Sequence, residues 1–567
     1  SILPEAFTPM YKIHKYWGRK PWNIFRDYIK NYTSENDIIL DPFCGSGSAI
    51  AEALKLRRRV IGIDINPIAT FITRQMITPI DLLKFQHSFE KIIKDSSQIF
   101  NEVYSTKCKK CGTPSKVIHF KWGREKLERG ISLKEAKESE LKRDLQSITY
   151  KCEKCGLRNE KPQRDDTDKA NKKFGELPHY LNNKKLRISL PSEAEYYFDL
   201  FTPRNLFLLS VIYDEILKIN NLKIREIMQL VFTSGLEQSS RLAMYTIKTG
   251  EASESFRSKS WIAPRFHIQR SYLEKNPLIN FKNSFQKVFL SKKEGNSSIL
   301  NCRFVNTFDD LVAGKGNVLI INDSIDYLER LPKQAVDYII ADPPFAKDIR
   351  YLELSQLWLN WLGVEPNFNK EIQYDDKEYA DKLTDAFKKM REVLKNDKYL
   401  TVTYQTDALK AWDIMVKSPV NAGFNLSKIL PQGVKYSIGA KYRALMTNGK
   451  HKLLLGYYYL TFGKNITNSN LYNDPKDDNF AKKIIEQVTS IIKKRQEPTP
   501  FIFILLNLYG KMTADEVKTK STIDILHILE TSKKITKDEA INKNPHCQKW
   551  TLRNYRFNKK RALEILV

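Results

Sequence analysis

A chain of 567 residues is too long for a single core, and about two to four domains are expected. Its 41% hydrophobic and 11% aromatic content excludes a disordered chain, no apolar run is long enough to cross a bilayer, and no signal peptide is visible. A formal net charge of +28 suits a polyanionic partner such as nucleic acid, although a chain rich in Lys, Asn and Ile throughout drifts the same way. Seven cysteines without an export signal indicate a reducing compartment, hence thiols or metal sites in place of a disulfide framework.

Residues 1–80 read as one block. His14–Pro21 is HKYWGRKP, and a helical pattern follows from Trp22 to about Tyr32. The short strand Ile38-Ile39-Leu40 opens into Asp41-Pro42-Phe43-Cys44-Gly45-Ser46-Gly47-Ser48, then a helix through Ala49–Leu56. The next strand, Val60–Ile63, ends in Asp64-Ile65-Asn66-Pro67. Strand, glycine turn, helix, strand and acid form the first half of a Rossmann-like nucleotide site. Gly45 and Gly47 let the backbone approach a ligand closely. Asp64, 17 residues after Gly47, can bind both hydroxyls of a ribose. The turn lacks the third glycine of a dinucleotide fingerprint and begins with an acid. Asp41 suits the ammonium of S-adenosylmethionine, where a pyrophosphate would be repelled. Cys44 reads as a small packing residue.

Residues 81–190 carry Cys108-Lys-Lys-Cys111-Gly112 and Cys152-Glu-Lys-Cys155-Gly156. Each pair aims two thiolates at one ion, and two pairs complete a closed tetrahedral site, so a structural zinc is expected. Two disulfides or unliganded thiols are the alternatives. The intervening stretch, Lys121 to about Gln146, is basic and helix-prone and suits DNA, or a solvated face. Asn159–Lys185 reads as a loop. Residues 191–300 are taken as a helical insertion and candidate for target recognition, with helices over about 206–220 and 224–240. Arg204, Arg241 and Arg265 are expected to touch phosphate or to form helix-end or core ion pairs. Thr249–Lys259 reads as a mobile loop. Trp261–His267 is an aromatic and basic mixture, for stacking on bases or for packing, with no role given to His267.

Residues 301–465 hold the second half of the sheet. Val318–Ile321 is a strand ending at Asn322-Asp323-Ser324. Val336–Ala341 is a buried strand that runs into Asp342-Pro343-Pro344-Phe345. Two prolines stop the strand and hold the Pro343 carbonyl in one direction. A carboxylate, a fixed carbonyl and an aromatic plane are a means of gripping an exocyclic amine; an ordinary strand-end turn is the plainer reading. The helix bearing Tyr351, Leu354, Leu357, Trp358 and Trp361 is mostly core, with Tyr351 placed to line a base pocket. A helix at 379–394 and strands at 399–404 and 453–462 complete a mainly parallel sheet with an antiparallel strand at its end. Cys302 and Cys547 read as structural. Residues 466–567 begin with a linker to 479. They continue with helices at about 480–494, 500–510, 513–518 and 521–531 and a basic, aromatic end, as a DNA-contacting or partner-docking domain.

HKYWGRKP, DPFCGSGS, GIDINP and ADPPF, in this order, resemble the S-adenosylmethionine-dependent DNA amino-methyltransferases, and with the cysteine pairs they look like the adenine-specific, N6-directed methylases that carry a zinc ribbon. Phe201-Thr202-Pro203-Arg204 resembles a further stretch of these enzymes. The resemblance implies an α/β Rossmann-like sheet with an inserted zinc-ribbon and helical recognition region and a helical C-terminal domain. It implies that Lys20 and Pro21 help to close the cofactor site and that Asp41, Pro42, Phe43, Gly45 and Gly47 hold the methionine part. Asp64 with Asn66 would hold the ribose, Asp323 would reach the adenine, and Asp342, Pro343, Pro344 and Phe345 would be catalytic. The expected substrate is double-stranded DNA with a flipped-out adenine, in restriction-modification or phage defence, beside a restriction or defence partner subunit. The expected location is the cytoplasm of a prokaryotic type of cell, at the nucleoid, with no membrane. The alternatives are N4 of cytosine, N2 of guanine in RNA, and a non-catalytic DNA-binding scaffold.

Overall fold

The computed structural model describes residues 3–124, 143–171, 184–188, 194–247, 256–259, 266, 268, 272–344, 349–372, 378–405, 409–432, 457–465, 480–495, 499–509, 512, 517–518, 520, 522–532, 534–537 and 549–552. Its centre is a seven-stranded sheet. Along the chain its strands are Ile38–Asp41, Arg59–Ile63, Val318–Ile321, Val336–Ala341, Leu394–Tyr404, Asn425–Pro431 and Tyr458–Gly463. Numbered in that sequence, they lie side by side in the order 3-2-1-4-5-7-6. The first five pair in parallel, and the seventh runs antiparallel between the fifth and sixth.

The central strands are apolar because both faces are covered. All of Val336–Ala341 and all of Ile38–Asp41 are buried. Helices such as Trp22–Tyr32 and Tyr351–Leu362 lie on one face, and Tyr379–Val393 with Leu409–Asn421 on the other. Strand order reverses between the first and fourth strands. An α/β sheet opens a crevice at such a switch point, outside the carboxyl ends of its strands.

Between the second and third strands the chain builds a second body. Ser105–Lys107, Pro114–Arg124, Arg143–Cys152, Gly156–Glu160 and Tyr272–Lys275 form a five-stranded antiparallel sheet. Helices Leu82–Val103, Pro203–Leu217, Leu222–Ser239 and Pro277–Ser298 pack beside it. The buried Lys292 reaches back from the last of these and donates to the Gln75 carbonyl at 2.8 Å, closing the end of helix Pro67–Ile77.

Several expectations are corrected here. Residues 121–124 and 143–146 are strand, with Trp122 opposite Leu145. Val117, Phe120, Trp122, Ile148 and Tyr150 are buried, and covering these apolar side chains outweighs the helical propensity of the charged residues beside them. The rest of that basic stretch lies outside the described residues. Arg164–Asn171 is helix where a loop is expected, with Asp165 and Asp166 in its first turn, where acids favour a helix start. Phe256–Lys259 pairs with Met244–Ile247 as strand within the expected mobile loop. Three of the four helices expected in the tail stand at Phe480–Arg495, Phe501–Tyr509 and Thr522–Thr531, near their expected places, and most of the fourth, at 513–518, lies outside the described residues. They are joined by a small antiparallel sheet of Thr499–Pro500, Lys549–Leu552 and Ile535–Lys537, too short to leave a periodic signal. This unit docks on the central domain through the buried Asp413, which accepts from Tyr509 Oη and from the Thr522 N–H, each at 3.0 Å.

Candidate active site

The site begins with two constrained turns. After the first strand, Gly45 and Gly47 take φ of +50° and +78°. A Cβ at Gly47 would stand 2.7 Å from Thr73, and one at Gly45 would stand 3.3 Å from the Tyr16 ring. Glycine is therefore required for conformation and for space together. Thr73 Oγ1 donates to the Gly45 carbonyl at 3.0 Å and fixes the turn. Asp64, at the end of the second strand, accepts from the Gly45 N–H at 2.8 Å and from the Asn66 N–H at 2.9 Å. Burial raises its carboxyl to about 6, and the two N–H donors hold it from rising further. Asn66 is buried, caps the helix Pro67–Ile77, and donates to Ser355 Oγ at 2.8 Å. It binds the glycine turn to the helix that follows Asp342-Pro343-Pro344.

The second turn is Asp342-Pro343-Pro344. Tyr379 Oη donates to the Pro344 carbonyl at 2.8 Å and holds the turn from behind. Thr403 Oγ1 donates to Asp342 Oδ1 at 2.7 Å. The other oxygen, Oδ2, is paired with the ammonium of Lys20, which also donates to the Gly18 carbonyl at 2.8 Å. Burial raises the Asp342 carboxyl, and Lys20 and then Thr403 oppose that shift. Asp41 is likewise pushed well up by burial, with Asp342 and Asp64 adding repulsion.

These turns share one open cleft, lined by Tyr16, Gly45, Asp64, Asp323, Asp342 and Tyr351 among others. Pro42, Phe43, Asn66, Pro343 and Pro344 also face it. Asp41 and Lys20 line a smaller adjoining cleft that Asp342, Phe43 and Gly45 share. Gly47 stands behind this wall as the cap of helix Ser48–Lys55, and Pro21 caps Trp22–Tyr32 just beyond Lys20. Asp323 lies at the rim, its Oδ2 3.7 Å from Arg330. Phe345 lies outside the described residues, as do Arg265, His267 and Cys547.

HKYWGRKP forms a strap over the cleft. Tyr16 stacks on Tyr351 at 6.1 Å between ring centroids, Trp17 meets Trp358 at 5.2 Å, and His14 meets Trp358 edge-on at 5.1 Å. Burial pushes the His14 imidazole down to about 3, so it is neutral packing. Sequence reasoning missed Thr403, Tyr379 and Lys370–Ile372, which reach the site from distant elements. Thr403 had one signal: the parallel register sets Val402 beside Ala341, and the next residue on each strand completes the pair. The phosphate role offered for two arginines is corrected. Arg204 is 1% exposed, pairs with Glu274 at 3.0 Å and lies over the Phe120 ring at 4.0 Å. Arg241 is buried and donates to the Asp199 carbonyl at 2.8 Å.

Away from the cleft, the sulfur atoms of Cys108, Cys111, Cys152 and Cys155 all lie within 4.8 Å of one another. Gly112 and Gly156 close the two turns at φ of +70° and +75°. Four thiols converging from two hairpins fit a tetrahedral metal site with no open position.

The sequence profile of the DNA methylase family, of N6/N4 type, matches residues 6–73. That segment contains the strap, the glycine turn and Asp64. The chain is 29% identical over 82 residues to the type II methyltransferase M.MjaII of Methanocaldococcus jannaschii, covering 14% of this chain and 16% of that protein. It is 39% identical over 69 residues to the putative methylase YubD of Escherichia coli, covering 11% of this chain and 30% of that protein. In both cases the chain spans less than a third of the relative's length. No described helix is long and apolar enough to cross a membrane.

Proposed function

We propose that this chain is a DNA amino-methyltransferase that places a methyl group on N6 of a flipped-out adenine, ahead of N4 of cytosine. The observation that carries the reading is the meeting of Asp342 with the Gly45–Asp64 turn in a single cleft. Five acids, Asp41, Asp64, Asp323, Asp342 and Glu371, line the two adjoining clefts against three cations, Arg19, Lys20 and Lys370. That surplus of negative charge suits a ligand with an ammonium and a sulfonium, and disfavours a pyrophosphate.

S-adenosylmethionine, when bound, would supply a methyl carbon on cationic sulfur; the new bond to the amine nitrogen would replace the carbon–sulfur bond, whose electrons stay on sulfur, and the proton displaced from nitrogen would pass to solvent water. The residues of this chain have three tasks. Asp41 and the Gly45–Gly47 turn hold the methionine end, and Asp64, with Asp323 at the rim, takes the ribose and adenine side. The Asp342 carboxylate and the Pro343 carbonyl accept the two N–H bonds of the exocyclic amine and draw its nitrogen toward tetrahedral geometry. The lone pair, otherwise delocalised into the ring, is thereby directed at the methyl group. Tyr351 forms a wall for the extruded base.

The cysteine cluster holds a structural zinc in this reading, and metal analysis of the purified chain is expected to give one zinc per chain; none would remove it. The helical insertion and ribbon provide target recognition, and the relative named as a type II methyltransferase supports a place in restriction-modification or phage defence, with a separate nuclease subunit. The test is nucleoside mass spectrometry after incubation with labelled S-adenosylmethionine on duplex DNA and on RNA. Label in N6-methyladenine is the expected result. Label in N4-methylcytosine changes the base and keeps the mechanism; label only in RNA, or none, overturns the reading.

A further inference from the structure

Lys20 stands with the cofactor residues in the sequence, yet its ammonium is used elsewhere. It is 2% exposed, and its neighbours include Asp342 Oδ2, the Gly18 carbonyl at 2.8 Å and the face of the Tyr457 ring at 4.7 Å. Asp342 is held from both sides, by Lys20 on Oδ2 and by Thr403 on Oδ1, and still keeps 25% of its side-chain surface exposed. It lines the main cleft, so that surface is available to a ligand. Other groups press on the pair from every side. Asp41 comes from the first strand, Tyr351 from the helix after the catalytic turn, Tyr457 from the approach to the seventh strand, and Asp64 from the second strand.

We propose that Lys20 is a positioning residue for methyl transfer: with Thr403 it clamps the Asp342 carboxylate, ionised and oriented, so that its remaining lone pairs face the exocyclic amine. The inference rests on the methyltransferase reading and adds that the strap carrying Lys20 builds the catalytic carboxylate as well as closing the cofactor site.

The chemistry requires such a partner. An exocyclic amine presents two N–H donors, so the group that receives it must be an acceptor. A carboxyl that partial burial already pushes up, with Asp41 close by, tends to take up a proton and become a donor on one oxygen. A neighbouring ammonium opposes that tendency directly. It also fixes rotation about the Cβ–Cγ bond, which one hydrogen bond from Thr403 does not secure alone. Lysine suits the task because its compact point charge fits within the small cleft, whereas a guanidinium is broader and spreads its charge over a plane.

The test compares the full chain with Lys20→Met and Lys20→Arg. Cofactor affinity is read by equilibrium dialysis with labelled S-adenosylmethionine, and single-turnover methylation of duplex DNA is followed from pH 5.5 to 9. Lys20→Met is expected to bind cofactor within about threefold of the parent and to methylate roughly a hundredfold more slowly at neutral pH. Its deficit shrinks as pH rises, because Asp342 then ionises without help and the acid limb of the profile moves upward. Lys20→Arg restores the position of the acid limb more than it restores the rate. Should Lys20→Met not fold, Thr403→Val carries the test, with slower methylation and unchanged cofactor affinity expected. A deficit equal at every pH, or a loss of cofactor affinity that accounts for the whole effect, overturns the proposal. Parent activity separates the two levels. An inactive parent overturns the methyltransferase reading and this inference with it; an active parent with a pH-independent deficit overturns the inference alone.

Discussion

Two ion pairs in this protein are built from the same kinds of group and are put to different ends. Arg204 and Glu274 are 1% and 0% exposed. Glu274 also accepts from Thr202 Oγ1 at 2.7 Å and from Trp122 Nε1 at 2.6 Å, and the guanidinium lies over Phe120. The carboxylate is surrounded by protein donors, and the pair joins the antiparallel sheet to helix Pro203–Leu217. Lys20 and Asp342 are joined as closely, but the carboxylate keeps a quarter of its surface toward a cleft. The first pair offers no exposed surface to a ligand, and the second does. A buried charge pair is weak evidence of function in itself. The exposure of one partner to a concave site distinguishes them.

The largest expected effect comes from the open pair. Asp342→Ala removes the acceptor of the amine, and methyl transfer is expected to fall by roughly a thousandfold or more, while cofactor affinity stays within a few-fold of the parent. Single-turnover kinetics beside equilibrium dialysis measures both. Turnover within tenfold of the parent would remove Asp342 from the mechanism and the comparison with it. Stability should fall less than in a sealed pair, since Asp41 stays near the Lys20 ammonium and the Gly18 carbonyl still accepts from it.

The sealed pair should respond the other way. Arg204→Met leaves Glu274 buried without its cation, and breaking such a pair typically costs about 3–5 kcal/mol. Urea unfolding should show that loss, while the folded variant keeps methyl transfer near the parent rate. A cost below about 1 kcal/mol would mean that the two sites differ less than their exposure indicates.

The same contrast explains what could be read from the sequence. DPFCGSG and ADPPF were legible because glycine and proline constrain the chain locally, and the ends of buried strands are where such turns are informative. The cysteine pairs were legible because two residues between thiols fix their geometry. Arg204 was not, because a basic residue near a helix start looks alike whether its partner is a phosphate or a glutamate 70 residues away. Thr403 and Tyr379 were invisible for the same reason: each reaches the Asp342-Pro343-Pro344 turn through sheet register or helix packing, neither of which leaves a local pattern. The role of Lys20 needed the strap to be laid over the fourth strand.

The smallest effect sharpens the comparison within the cleft itself, where no ammonium among the described residues pairs with Asp64. Its two N–H donors only partly offset burial, and its carboxyl stands at about 6. Cofactor affinity should therefore rise about tenfold from pH 5 to pH 7, as Asp64 ionises and can accept from ribose hydroxyls. Asp64→Asn should flatten that rise and lower affinity at pH 7. Fold stability runs against it. A carboxyl raised above its ordinary value favours the folded state below about pH 4, and that contribution is lost as pH passes through 6. Melting temperature without cofactor should thus decline over the interval in which affinity climbs, and the decline should vanish in Asp64→Asn. If affinity and melting temperature moved together, the carboxylate would be a structural cap on the glycine turn, closer in kind to Glu274 than to Asp342.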